Sequence, residues 1–310
     1  MQKLWTRNFT ILTIGSFISA LGSAAAGVSF GILIFKQTGS PLMLGLFTVA
    51  NIIPRVITGF VAGPFVDRHS RKRIVYTLDF VSTIFFLILA VVLYSGYFNV
   101  IAFTLIAALF GVMDTVYQLA FMSMYPEIIT PGQHSKAYSL SSLIWPISAA
   151  VMAPVAAFLI ENFTYGIPML MLFNSVTFLL AAIMETTIKL QESLNQKQVK
   201  GLQFIEDLKE GFRYYKFEKG ILGIGLLFAA FSFVYTSHDI LRMPYFINSE
   251  QFTLQDFSFL ITASSVGRII GGIIHYTFKY PPHKRYMIAV SVYLSVELLS
   301  ATMLYMPYVL

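Results

Sequence analysis

An all-α membrane fold is predicted by three features together: a greasy composition, a succession of long apolar runs, and a one-sided distribution of cationic loops. Of 310 residues, 56% are hydrophobic and 12% charged, and the mean hydropathy is +0.72. A soluble domain carries about 25% charge, so this chain lacks the polar residues to cover a water-facing surface. Nine apolar runs follow one another, each near the ~20 residues that cross a hydrocarbon core of roughly 30 Å as a helix. Backbone groups in lipid must pair internally, which makes these runs helical.

The runs start near Phe9, Leu42, Ile74, Asn99, Ala137, Ile167, Ile221, Phe257 and Tyr286. The first is too long for a removable signal peptide and lacks a cleavage site, so it is expected to remain as a span. Ser40-Pro41 places a cap residue before a proline in the first turn of the second run. Thr253-Leu-Gln-Asp256 fits a capping-box pattern before the eighth. Between the second and third runs lies a dense basic turn, Gly63 to Arg73, which holds Asp67, Arg68, His69, Arg71, Lys72 and Arg73.

Charge placement sets the topology. Of the 21 Lys and Arg residues, Lys36 falls in a loop opposite the N-terminus and Arg55, Arg242 and Arg268 fall within runs, which leaves 17 on the N-terminal side. The positive-inside rule then predicts a cytoplasmic N-terminus and an external Leu310. The net charge of +6 follows from this loop bias, so nucleic acid is not an expected partner. With no cysteine, disulfides, thiolate metal sites and cysteine nucleophiles are excluded. Walker-type, HExxH and nucleophile-elbow motifs are absent, so neither an enzyme nor a transporter hydrolysing its own ATP is expected, and no cofactor or metal.

Several polar residues inside the runs are candidates for function. Arg55 sits roughly 16 Å from the basic turn along its helix. A charge at that depth costs about 2.5–3.5 kcal/mol on insertion scales and must face protein or water. It lines a cavity or pairs with an acid. Arg268 is its counterpart in the eighth run, and both readings apply to it. Asp114, with Gln118 one turn on, and Glu297 in the ninth run are carboxylates or amides at membrane depth. They either exchange protons or hydrogen-bond a neighbouring helix. Asp239 and Arg242 are three apart and read as an interfacial ion pair. Gly59/Gly63 and Gly267/Gly271 are four apart and read as packing faces.

Residues 189–219 form the longest hydrophilic stretch, and within it Ile205, Leu208, Phe212 and Tyr215 recur at helical spacing. That pattern predicts an amphipathic helix on the cytoplasmic membrane surface. It separates residues 1–188, with six runs, from residues 220–310, with about three. An internal repeat supports the division: an offset of 213 aligns Ala50, Arg55, Ile57 and Gly59 with Ala263, Arg268, Ile270 and Gly272. In the second copy Tyr280 replaces Asp67.

The spacing Gly63–Asp67–Arg68–Arg71–Lys72 resembles the loop signature of the major facilitator superfamily, with Ser70 in place of its usual glycine. Ala149, Ala153, Pro154 and Ala157 in the fifth run resemble the antiporter motif of its drug exporters, with alanine for glycine. Met124-Tyr-Pro-Glu-Ile-Ile-Thr-Pro, the Ser139–Ser142 run, and Phe204-Ile-Glu-Asp-Leu-Lys-Glu-Gly-Phe-Arg look like bacterial macrolide-efflux and siderophore exporters. The resemblance implies a complete six-helix bundle and about three helices of a second, C-terminally truncated one. It implies a gate at Gly63, Asp67, Arg68, Arg71 and Lys72, and a substrate and proton pathway at Arg55, Asp114, Gln118, Arg268 and Glu297. The function implied is proton-coupled efflux of a small amphipathic molecule across the plasma membrane by alternating access. Two alternatives remain open at this point: a non-transporting remnant or accessory membrane subunit, and an importer of the same fold.

Overall fold

The computed structural model describes residues 4–190, 213, 219–248, 252–277, 287–288, 290–296 and 298. Among them there is no strand, and eight helices follow in chain order: α1 (Arg7–Thr38), α2 (Pro41–Arg68), α3 (Arg71–Tyr94), α4 (Val100–Ile128), α5 (His134–Asn162), α6 (Gly166–Thr186), α7 (Lys219–Asn248) and α8 (Leu254–Thr277). Even α6, the shortest at 21 residues, is roughly 32 Å long at 1.5 Å per residue. Seven, α1 to α6 and α7 from Leu222, are long and apolar enough to cross a membrane, and α8 stands where the eighth run is expected. The ninth is described only at residues 287–288, 290–296 and 298, all helical. Tyr280, Glu297 and Leu310 lie outside the described residues, and so does the expected amphipathic helix except for Arg213.

Local chemistry starts and stops these helices. Thr6, Ser40, Ser70 and Asn99 each accept a bond from the backbone N–H three residues on, which pairs one orphan donor of the first turn. Pro41 fits the first turn of α2 as expected. Gly39 ends α1 at φ 62°, a left-handed conformation that glycine adopts without steric penalty. At α8 the capping box forms in both directions: Thr253 N–H donates to Asp256 Oδ2 at 2.7 Å, and Asp256 N–H donates to Thr253 Oγ1 at 3.2 Å.

The chain divides into two compact units, Met1–Val266 and Gly267–Leu310. Arg268 belongs to the second, on α8, where the described residues are helical. In the first, α1 packs against α5 and α6, while α3 packs against α6 and α2 against α4. Lipid tails are as apolar as leucine, so helices in a bilayer associate through close contact and interhelical hydrogen bonds rather than through burial from water. Both devices are present. Gly22 of α1 lies against α6 so closely that a Cβ would stand 2.9 Å from the Asn174 Cα, and Gly111 of α4 presses on the Asn51 carbonyl of α2. Asn51 Nδ2 donates to the Ala107 carbonyl at 2.9 Å, and Ser175 Oγ to the Thr83 carbonyl at 2.7 Å. The outer surface exposes Leu42, Ile84, Ile101 and Leu105, the face expected toward acyl chains. Among the described residues nothing lies within 4 Å of the Cβ positions of Gly63, Gly267 and Gly271, and Gly59 meets only Thr115 Cγ2 at 3.9 Å. The close approach of α2 is made by Gly111 instead.

One end of the bundle gathers Arg7, Arg68, Arg71, Lys72, Arg73 and Lys136, while Lys36 stands in the last turn of α1 at the other. At the basic end Asn8 bonds both the N–H and the carbonyl of Lys189, which ties the start of α1 to the chain leaving α6. Lys72 Nζ at the start of α3 donates to the Thr186 carbonyl at the end of α6, at 2.8 Å. At the opposite end Tyr94 and Tyr165 pair with ring centroids 4.5 Å apart, a placement suited to a membrane interface.

Candidate functional site

The six helices α1 to α6 enclose a cavity of about 570 Å³, within the usual size of a small-molecule site. Its wall is largely aromatic. Phe86 stacks on Phe110 at 4.9 Å and on Phe178 at 5.6 Å, and Phe30, Phe47, Phe121 and Trp145 also border the space. Hydroxyls and an amide from α1, α2 and α3 (Ser16, Ser19, Ser23, Asn51 and Ser82) interrupt this lining. An apolar body with a few polar groups is the ligand type that such a surface accommodates.

Arg55 and Asp114, 59 positions apart in the chain, form an ion pair between α2 and α4 with Nη2 and Oδ2 2.7 Å apart. Both side chains stay nearly half exposed, at 48% and 42%, and Asp114 borders the cavity with Gln118 on the next turn. Thr115 Oγ1 shares its one proton between the Gly111 carbonyl of its own helix at 2.8 Å and the Arg55 carbonyl of α2 at 3.2 Å, a weaker second contact between the same two turns. Arg55 is thus paired with an acid while its side chain stays half exposed.

A second acidic group borders the same space. Asp79 of α3 and Glu185 of α6, each only 1% exposed, meet within hydrogen-bonding reach. Among the described residues, Asp79 Oδ2 and both oxygens of Glu185 have no donor. Asp79 and the Tyr117 ring line the cavity. Neither carboxyl has a role in the sequence reading. A signal for one was present, since Asp79 is the only acidic residue between Arg73 and Tyr94.

At the basic end, Asp67 stands 3.9 Å from Arg71 one turn on. Arg71 reaches into the bundle, donating to a carboxylate oxygen of Glu127 and, at 3.4 Å, to the Ser123 carbonyl, both on α4. Gly63 and Arg68 stand on α2, Arg68 at its last position and exposed. The turn between α2 and α3 is thereby tied to α4 through Arg71 and to α6 through Lys72. Glu127→Gln is expected to lower stability by about 1–2 kcal/mol, since a hydrogen bond to a charged group is lost from a mostly covered arginine. Thermal unfolding in detergent checks this; the exchanged pair Arg71→Glu/Glu127→Arg should recover part of the loss, and no recovery would show that charge pairing is not the cause.

Residues 12–309 match the Major Facilitator Superfamily. The chain belongs to that superfamily. Among curated relatives, macrolide efflux protein A of Streptococcus pyogenes is 21% identical over 275 residues, covering 87% of this chain and 66% of the relative. Macrolide efflux protein A of Enterococcus faecalis is 21% identical over 241 residues, covering 76% and 72%. The uncharacterised MFS-type transporter YkuC of Bacillus subtilis is 20% identical over 254 residues, covering 79% and 58%. The chain thus spans about two thirds of the length of the first of these relatives. No solved structure matches it.

For a member of the major facilitator superfamily, helix α5 carries the antiporter-like pattern, and its geometry has a direct cause. Ala153 and Ala157 are fully buried and Ala149 half-buried on this helix, which packs against α1. Pro154 has no N–H to give to the carbonyl four residues back, Ala150. The Thr262 hydroxyl of α8 reaches that carbonyl at 3.0 Å, sharing its one proton with the Ser258 carbonyl of its own helix at the same distance. Thr262→Val is expected to cost about 0.6 kcal/mol, the average for a hydrogen bond between membrane helices. In a Pro154→Ala background, where Ala150 regains a donor within α5, the same change should be neutral; an unchanged cost there, measured by reversible unfolding, would mean that the bond does not complete the helix. Arg268 belongs to the second unit, and Glu297 lies outside the described residues. The side chain of Asp239 also lies outside them.

Proposed function

We propose that this chain serves proton-coupled efflux of a small amphipathic molecule, macrolide-like in character, by alternating access in the plasma membrane. The observation that carries this reading is the aromatic cavity inside α1 to α6 with ionisable groups along its wall, in a chain whose relatives include macrolide efflux proteins. Apolar lining holds the body of such a substrate, and carboxylates at membrane depth are the groups able to exchange protons against it.

In this reading residues 1–188 are the first bundle, residues 189–219 a cytoplasmic linker, and residues 220–310 part of a second bundle. The N-terminus is cytoplasmic, as the loop charges favour. Arg55, Asp114 and Gln118 border the path on one side, and Arg268 and Glu297 serve it from the second half. Asp67, Arg68, Arg71 and Lys72 form the cytoplasmic gate, with Gly63 in the same turn.

The test is accumulation of a fluorescent dye or a labelled macrolide in cells expressing the protein. Lower internal levels are expected with the wild type, abolished by a protonophore, and restored to control levels by Asp67→Asn or Asp114→Asn at equal expression. Internal levels that rise with expression would indicate uptake, and levels that do not change at good expression would end the transport reading.

A further inference from the structure

The buried acids Asp79 and Glu185 carry an inference that deepens the efflux reading. An ionised carboxylate only accepts hydrogen bonds, so where Asp79 Oδ2 and the Glu185 oxygens find no donor among the described residues, the two groups are joined by a proton of their own. Two bare negative charges, both out of water and side by side, would be strongly unfavourable. Among the described residues no Lys, Arg or His forms an ion pair with either carboxyl. Helix α1 offers the Thr13 and Ser16 hydroxyls, both without a partner, and holds no charged residue between Arg7 and Lys36. Gly15 leaves a Cβ position 3.8 Å from Glu185 Oε1. Helix α5 has no charge between Lys136 and Glu161. On α4, Tyr117 lies within electrostatic reach of the pair, Asp114 is held by Arg55, and Glu127 by Arg71. Lys72, on α3 itself, is bonded to the Thr186 carbonyl.

We propose that Asp79 and Glu185 form a proton-binding site in which the two carboxyl groups share one exchangeable proton, open to the cavity on the Asp79 side. Release breaks the carboxyl O–H bond and passes the proton to a water in the cavity; uptake reverses this. The released state leaves two anions between α3 and α6, the helices that pack together there, so loss of the proton favours their separation and its return favours their contact. Use of this proton in coupling rests on the efflux reading; its binding does not.

The experiment is infrared spectroscopy of the purified full chain in detergent, scanned in pH, in light and heavy water. A protonated-carboxyl stretching band is expected that shifts in heavy water and disappears reversibly as pH rises. Asp79→Asn and Glu185→Gln should each remove the pH-dependent band, while Asp114→Asn should retain it. A band present in both single variants, one that never titrates, or one abolished by sodium or potassium at constant pH would overturn the proposal. Should the neutral variants fail to fold, the wild type still decides, because the absence of any titrating carboxyl band would overturn it equally. If the band behaves as expected while cells show no efflux, the transport reading fails and the proton site stands; if efflux occurs without the band, the reverse holds.

Discussion

Gly111→Leu is expected to destabilise the assembled bundle by at least about 3 kcal/mol, which lowers the folded-to-unfolded ratio by roughly a hundredfold. The added side chain would strike the Asn51 carbonyl and stand 3.1 Å from its carbon before any branch is placed. Helix α2 would have to withdraw, and its withdrawal breaks three further links between α2 and α4: the Asn51 bond to Ala107, the Thr115 bond to Arg55 and the Arg55–Asp114 ion pair. Backbone cannot step aside as a flexible side chain can, so relief is not available locally. Gly63→Leu on α2 is the control, because among the described residues no atom lies within 4 Å of its Cβ position. Unfolding in detergent followed by size-exclusion profile reads both. Equal stability of the two variants would remove close approach at Gly111 as the organising contact.

Phe86→Ala is the second large effect. Phe86 is 6% exposed and its ring lies against Phe110, Phe178 and, at 6.3 Å, Phe30. In a soluble core its removal would cost both transfer from water and a cavity. In lipid the unfolded reference is itself apolar, so the cavity portion dominates. A void of roughly 100 Å³ at about 24 cal/mol per Å³ gives about 2 kcal/mol. A drop in Tm of roughly 5 °C is expected for a chain of this size, with Phe86→Leu intermediate because it refills part of the void. A Phe86→Ala protein as stable as the wild type would show that the aromatic cluster is loosely packed and contributes shape alone.

The helices were legible in the sequence because length in lipid leaves one solution, and the caps at Ser40 and Thr253 were legible because their chemistry is local. Partnerships between helices were not. A lipid-facing residue and one facing another helix are both apolar, so periodicity does not mark the inner face as it would in water. Arg55 announced itself by the cost of its charge, but nothing in the chain points from it to Asp114 rather than to any other acid at depth. Arg71 read as part of a loop, whereas its partner Glu127 lies within the Met124-Tyr-Pro-Glu stretch noted only for its resemblance. Glycine spacing directed attention to Gly59 and Gly63, while the contact is made by an isolated glycine, Gly111. Asp79 and Glu185 stand on helices more than a hundred positions apart, and only the packing of α3 on α6 unites them.

The bond from Thr262 to Ala150 has a consequence for biosynthesis. The two residues are 112 positions apart, and at about 5–20 residues per second a ribosome takes roughly 6–20 s to cover that distance. For this interval the fifth helix sits in the bilayer before the donor from α8 has been made. The nascent protein is therefore expected to hold α5 loosely, open to water or to an insertion factor, until α8 arrives and closes the gap.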